Sequence, residues 1–253
     1  MKKNSLILWI ASFVIVFLAG YISQITDKNY PISATFGIDG KKVSYRFEKL
    51  HFGKNDLTII IRSDVQNLSG NLFWKNLNQS NWNSTALNDS NSVLTGKIPA
   101  QKPKDKILYF IELLYQNKKY VIPSERKIEL TFYGKIPVVI EVLKSLLLYI
   151  GMILAIRTSL EYFNKNKGAK KFSVLTVINF LILAVLINPL YLTYKYGYMN
   201  RSIPSIANLF PIGEVLMMLL WIITVVLLFT LKNFSYTSIL SGLVSLIIFI
   251  TLL

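Results

Sequence analysis

Lys127-Ile128-Glu129-Leu130-Thr131-Phe132-Tyr133 reads as a β-strand, and only a few residues later Pro137 opens an apolar run through Val138-Val139-Ile140 to about Ile156. Proline suits the first turn of a helix, where its missing N–H would have had no partner. A largely apolar run of this length crosses the roughly 30 Å hydrocarbon layer of a bilayer. A strand therefore feeds directly into a membrane span. Downstream, three further runs cover about 172–192, 212–231 and 236–253. Upstream lies a polar, strand-rich block from about Asp27 to Lys135, preceded by an apolar run from Leu6 to about Ile22. The order predicts an integral membrane protein with five spans. An N-terminal transmembrane anchor (1–24) is followed by an all-β extracytoplasmic sandwich (27–135) and a C-terminal four-helix transmembrane bundle (137–253). The first run is longer than a signal-peptide core, and Ala19-Gly20 is a poor cleavage site, so an uncleaved anchor is expected.

Lysine and arginine placement sets the orientation, because short cytoplasmic loops carry the excess of positive charge. Lys2 and Lys3 precede the first span, Arg157, Lys165, Lys167, Lys170 and Lys171 link the second and third, and Lys232 sits between the fourth and fifth. The opposing loop, Thr193 to Phe210, holds only Lys195 and Arg201. The N-terminus is thus expected in the cytoplasm of a bacterial cell, with residues 27–135 outside the cytoplasmic membrane.

Of 253 residues, 53% are hydrophobic and 16% charged, with a mean hydropathy of +0.45. That balance fits a chain with spans better than a soluble domain. The net charge of +15 is dispersed through the polar block or flanks the spans. Nucleic acid is therefore not expected as a partner, whereas anionic lipid or polymer is compatible. There is no cysteine, which removes disulfides, thiolate zinc, Fe–S clusters and thiol catalysis. The single histidine, His51, beside Phe52 and Gly53, reads as a turn residue and leaves no multi-histidine metal site. No cofactor and no metal are expected. The heavy use of Asn, Lys and Ile fits an AT-rich bacterial coding bias.

Within the polar block, Val43-Ser44-Tyr45-Arg46-Phe47 and Leu57-Thr58-Ile59-Ile60-Ile61-Arg62 are rich in β-formers, and the first alternates. Leu72-Phe73-Trp74-Lys75, Lys106 to Tyr115 and Lys127 to Tyr133 are further strands, with an Asn/Ser-rich turn region between Asn76 and Asn91. Around seven short strands separated by polar turns suggest a sandwich. The sequence Leu72-Phe73-Trp74-Lys75, Trp82, Leu94 to Ala100 and Ile107 to Glu112 resembles immunoglobulin-like and fibronectin type III-like modules. That resemblance implies a fold and leaves function open, since such sandwiches serve as spacers, binders and docking surfaces. Trp74, Tyr109 and Phe110 are either a sugar-stacking platform or core filling, and Trp82 is the better candidate for an exposed aromatic. Asn67, Asn78, Asn83 and Asn88 match the N-x-Ser/Thr pattern by chance in an Asn-rich chain.

Ionisable groups in lipid are costly and so raise a functional hypothesis. Glu141 and Lys144 lie three residues apart on one face of the second span, which continues through Leu148, Gly151 and Ala155. The Gly151/Ala155 pair allows close helix approach, so the charged pair is expected to face the bundle. Glu214 enters the fourth span, and Asn188-Pro189 ends the third, on the same side. The sharp reading is an outer-leaflet polar cluster of Glu141, Lys144, Asn188 and Glu214. The simpler reading is that Glu141 and Lys144 pair, reach the surface and pin helix depth. Arg157 and Glu161 are expected as anchors at the cytoplasmic interface. Ser238, Ser241, Gly242 and Ser245 form a small-residue stripe suited to helix packing.

From Gly134-Lys135-Ile136-Pro137 through Arg157-Thr158-Ser159-Leu160-Glu161 the chain is also similar to an uncharacterised group of bacterial multi-span membrane proteins. Those share the order of anchor, extracytoplasmic immunoglobulin/fibronectin III-like domain and helical bundle. Asn188-Pro189, Gly197, Pro204 and Trp221 fit that layout. The group often has histidine at the position of Lys144 and a Gly/Asp/Asn/Lys-rich stretch before the fourth span. Here that stretch reads Ser205-Ile206-Ala207-Asn208-Leu209-Phe210-Pro211, so any metal or proton chemistry tied to it is lost or altered. Two functions follow. The first is a non-enzymatic cell-envelope protein whose sandwich docks a partner or polymer while its bundle anchors it or joins a membrane complex. The second is a membrane-embedded enzyme or transporter component using the Glu/Lys cluster. The non-enzymatic reading is favoured, with the lipid bilayer and an envelope or membrane protein as partners.

Overall fold

The computed structural model describes residues 2–90, 92–124, 126–164, 168–197, 206–231 and 235–252. Lys165, Lys167, Arg201, Lys232 and the Pro204-Ser205 step lie outside the described residues, as do the side chains of Lys2 and Lys3. The chain divides into a helical unit (Met1–Asp27, Ile136–Tyr194, Tyr198–Leu253) and a β unit (Lys28–Lys135, Lys195–Gly197).

The helical unit contains α1 (Lys2–Thr26), α2 (Val138–Leu160), α3 (Ala169–Leu181), α4 (Asn188–Lys195), α5 (Ile212–Thr230) and α6 (Ser235–Leu252). Four stretches are long and apolar enough to cross a membrane: Ser5–Thr26, Val138–Asn164, Ala169–Lys195 and Ile212–Thr230. Tyr236–Thr251 is a shorter apolar helix. Outward side chains remain apolar, Val138 and Ile212 being more than 70% exposed. A helix apolar on every side is built for hydrocarbon, not water. Inside, Val16, Met152, Ile156, Phe180, Met217, Trp221 and Phe249 share one core. Gly151 is required there, since a Cβ at that position would lie 2.7 Å from the Phe180 ring. The serine stripe of α6 faces inward: Ser245 accepts a hydrogen bond from Trp221 Nε1 at 2.9 Å, and Ser159 donates to the Ser238 carbonyl at 2.5 Å.

Asn188-Pro189 does not end the third span, contrary to expectation. A π-helical turn, Ile182–Ile187, precedes it, and helix continues to Lys195. Proline cannot donate to the carbonyl four residues back and its ring crowds that carbonyl. A wider turn immediately upstream accommodates both effects without breaking the helix.

The β unit has two sheets. One orders β1 (Ile32–Ile38), β2 (Lys41–Phe47), β4 (Leu57–Ser63), β8 (Val93–Ile98) and β7 (Asn88–Ser90) as β1-β2-β4-β8-β7. The other orders β3 (Leu50–Phe52), β11 (Ile128–Tyr133), β9 (Lys106–Tyr115), β5 (Ser69–Asn76) and β6 (Asn83–Ala86) as β3-β11-β9-β5-β6, with β10 (Lys118–Ile122) also paired to β9. Asp39-Gly40 and Gln116-Asn117 close two-residue hairpins with both residues at positive φ, the backbone that matches strand twist. Strict alternation in β4 sends Leu57, Ile59 and Ile61 inward and Thr58, Ile60 and Arg62 outward. With Phe47, Leu72, Ile98, Ile107, Tyr109, Ile111, Leu130 and Phe132 these inward residues form one core.

Candidate functional site

The sequence-predicted residues of the helical unit resolve into two polar clusters. In the first, Lys144 in the second turn of α2 places Nζ 3.3 Å from Glu214 Oε1 in the first turn of α5. The same Nζ lies 4.4 Å from the ring centroid of Tyr191 on α4. Glu214 is 1% exposed and Asn188, one helical turn before Tyr191, is fully buried. The first turn of α5 also favours a carboxylate, because the positive end of the helix dipole faces it. The 3.3 Å contact is an ion pair whose geometry falls short of a hydrogen bond. Glu214 Oε2 and both amide atoms of Asn188 are buried without a hydrogen-bond partner among the described residues.

Glu141 stands apart from this cluster. Its side chain is exposed, and among the described residues no ion pair joins it to Lys144. The expected four-membered cluster therefore holds Lys144 and Glu214 in contact, with Asn188 buried on the helix that carries Tyr191, and leaves Glu141 outside. The simpler reading, a Glu141–Lys144 pair, is not what the side chains form either. A buried carboxylate gains more from the ammonium than an exposed one that water already solvates. Tyr191 escapes a reading of the sequence, because a tyrosine near a helix end carries no distinguishing pattern. Asn179 escapes it too, although an asparagine in mid-span is a visible signal; its Oδ1 is buried, without a hydrogen-bond partner, against Gly151.

The second cluster is made by Arg157 and Glu161, the pair expected as an anchor at the cytoplasmic interface. Arg157 and Glu161 form an ion pair, and both are about 1% exposed. Arg157 Nη2 donates to Ser5 Oγ at 3.2 Å, and its guanidinium lies over the rings of Phe172 (4.8 Å) and Trp9 (5.5 Å). Glu161 Oε2 accepts from the Gly168 N–H at 3.0 Å and from Asn164 Nδ2 at 3.1 Å. A planar guanidinium can stack on rings and bond in its plane at once, so this pair ties α1, α2 and the start of α3 together.

In the β unit, Tyr109 is core and its hydroxyl donates to the Glu48 carbonyl at 2.8 Å. Burial pushes the Tyr109 phenol well above the usual tyrosine range. Trp74 is half-buried and packs on the core. Phe110 instead faces outward, stacked on Phe73 at 5.0 Å and met edge-on by Trp82 at 5.0 Å. Lys127 and Lys75 lie over the Trp82 ring at 4.5 and 5.1 Å. Of the two readings of Trp74, Tyr109 and Phe110, core filling describes Tyr109 and the core-packed Trp74, while Phe110 belongs to an outward aromatic group with Phe73 and Trp82. His51 lies in strand β3 and not in a turn, with Nε2 2.7 Å from the Asn55 carbonyl.

Among the described residues no three His, Asp or Glu side chains gather as metal ligands. A scan against protein-family models and a search of the curated proteins each found no match.

Proposed function

We propose that the chain is a non-enzymatic protein of the bacterial cell envelope. Its β unit docks an envelope partner or polymer, and its helical unit anchors it or joins a membrane complex. The observation that carries this reading is a β unit with its own core and a strong basic excess, 17 Lys/Arg against 9 Asp/Glu over residues 28–135. A basic surface on a unit joined to membrane-length helices is suited to holding acidic matter near a bilayer. The strand order supports an immunoglobulin-like sandwich: β2-β4-β8-β7 has the order A-B-E-D, and β11-β9-β5-β6 the order G-F-C-C′. Five spans are supported by α6, which at about 1.5 Å per residue approaches the hydrocarbon thickness and contributes Ile248 and Phe249 to the helical core. Lys170 and Lys171 at the start of α3, with Lys2 and Lys3, support a cytoplasmic N-terminus.

The cysteine-free chain gives a direct topology test. Ser80→Cys is expected to react with a membrane-impermeant maleimide in intact cells, and Lys170→Cys only after lysis; the reverse pattern overturns the orientation. Native co-purification then tests docking, with a stoichiometric partner expected that survives Glu214→Gln.

A second reading is favoured by one observation, the burial of Glu214 and Asn188 without complete hydrogen bonding. It is a membrane component that uses the Lys144–Glu214 pair in proton or headgroup chemistry. Loss of a cellular phenotype in Glu214→Gln with full expression and an intact partner complex would select it.

A further inference from the structure

The outer face of the β1-β2-β4-β8 sheet gathers hydroxyls and guanidinium groups in one place. It holds an open depression of about 590 Å³, lined by the hydroxyls of Ser33, Thr35, Ser44 and Thr58 and by Arg46 and Arg62. Backbone groups are occupied along these strands: Thr35 pairs with Ser44, Ser44 with Arg62, and Ser33 with Arg46. β2 and β4 have strand partners on both sides, so on the open face of these two strands it is side chains that would recognise a ligand. Hydroxyls both donate and accept, whereas guanidinium only donates and fits phosphate or carboxylate through two parallel bonds. Ile60 and Tyr45 are the larger nonpolar side chains among the lining residues, and Tyr45 packs against the core of the β unit.

Two arginines, Arg46 and Arg62, line the depression beside one carboxylate, Glu48. Glu48 pairs with Arg46 at 3.0 Å, and both are exposed, so water screens the pair. Arg62 is exposed and among the described residues no carboxylate pairs with it. Lys42 and Lys97 continue the same face, Lys42 two residues before Ser44 and Lys97 directly across from Thr58. Arg46 and Arg62 are diagonal neighbours, with a spacing of roughly 7–8 Å. Each can therefore take a separate anionic group of one chain while the hydroxyls between them meet the neutral part.

We propose that this face binds a polyanionic, hydroxyl-rich polymer, a polyol- or sugar-phosphate chain, with Arg62 as its principal phosphate ligand. The inference rests on the docking function above and names the face and the chemistry. Its test uses the full chain in phosphatidylcholine nanodiscs and a short synthetic poly(glycerol phosphate) as probe, read by biolayer interferometry at low and physiological ionic strength. Wild type is expected to bind with an affinity that falls with salt. Arg62→Ala should weaken binding about tenfold or more, Arg62→Lys should recover part of it, and Lys75→Ala with Lys127→Ala on the other sheet should change little. Unchanged binding by an Arg62→Ala/Arg46→Ala variant, with loss in the Lys75/Lys127 variant, overturns the face while leaving the docking function standing. Absence of polymer binding by wild type overturns the ligand class, and so does an Arg62-dependent attachment to phosphatidylglycerol nanodiscs alone. In either event co-purification still decides the docking function by itself.

Discussion

Among the described residues Glu214 is buried against one cation, Lys144, so removing that cation alone and replacing both partners should differ in a defined way. Removing Lys144 as Lys144→Met leaves the carboxylate buried and unpaired, a change that costs about 3–5 kcal/mol in comparable buried pairs. Replacing both, Lys144→Met with Glu214→Leu, is expected to restore most of that stability, because the buried carboxylate and its half-buried cation are replaced by apolar groups. Glu141→Gln should alter stability by less than about 0.5 kcal/mol. Reversible unfolding in mixed micelles checks all three, and equal losses for Glu141→Gln and Lys144→Met would contradict the pairing described. Tyr109 offers a pH test in the other unit. Burial keeps its phenol protonated in the fold, whereas in the unfolded chain it ionises near pH 10, about the free tyrosine value. Above that pH the unfolded chain sheds a proton that the folded chain retains. Stability is thus full below about pH 10 and falls as pH rises further. Tyr109→Phe should lose about 1 kcal/mol at neutral pH with its hydrogen bond to Glu48, yet show a flatter alkaline decline. Denaturant titrations from about pH 8 to about pH 11, followed by tryptophan emission, measure both effects.

At the scale of elements, the contacts between helices rest on small residues set opposite large ones. Gly151 admits Phe180 and the Asn179 amide, and Gly242 admits the Ser159 hydroxyl. Gly151→Val must push α2 and α3 apart, with an expected cost of about 1–3 kcal/mol. Gly168→Ala, at the entry to α3, meets Phe172 and the Glu161 carboxylate and should loosen only the cytoplasm-facing end proposed here. Disulfide trapping between cysteines introduced on α2 and α3 reads the separation directly. Unchanged trapping in Gly151→Val would show that the glycine is not what sets helix distance. In the sheets, one strand illustrates what element-level pattern can say. Tyr109 and Phe110 are neighbours, so strand geometry alone sends them to opposite faces. The two-residue period of a strand is thus enough by itself to exclude a platform containing both.

Among the described residues there are two hydrophobic cores, one per unit, that share no residue. Leu72, fully buried in the β unit, is therefore a local lever: Leu72→Ala should cost about 2–5 kcal/mol of β-unit stability. Hydrogen exchange of α2 and α5 amides should be unchanged by it. A parallel loosening of those helices would show that the units stabilise each other. Membrane-length helices, the β block between them and the absence of thiol chemistry are legible in the chain, because each depends on the summed character of contiguous residues. Partition into hydrocarbon needs only enough apolar residues in a row, and strand formation needs only alternation and turn residues. Lys144's choice of Glu214 over Glu141, the burial of Arg157 and Glu161, and the passage of a helix through Pro189 are decided by tertiary structure alone. So is the gathering of Arg46, Arg62 and four hydroxyls on one face. Those depend on which distant segments meet and how much water each group loses there, and no local window of sequence contains that information.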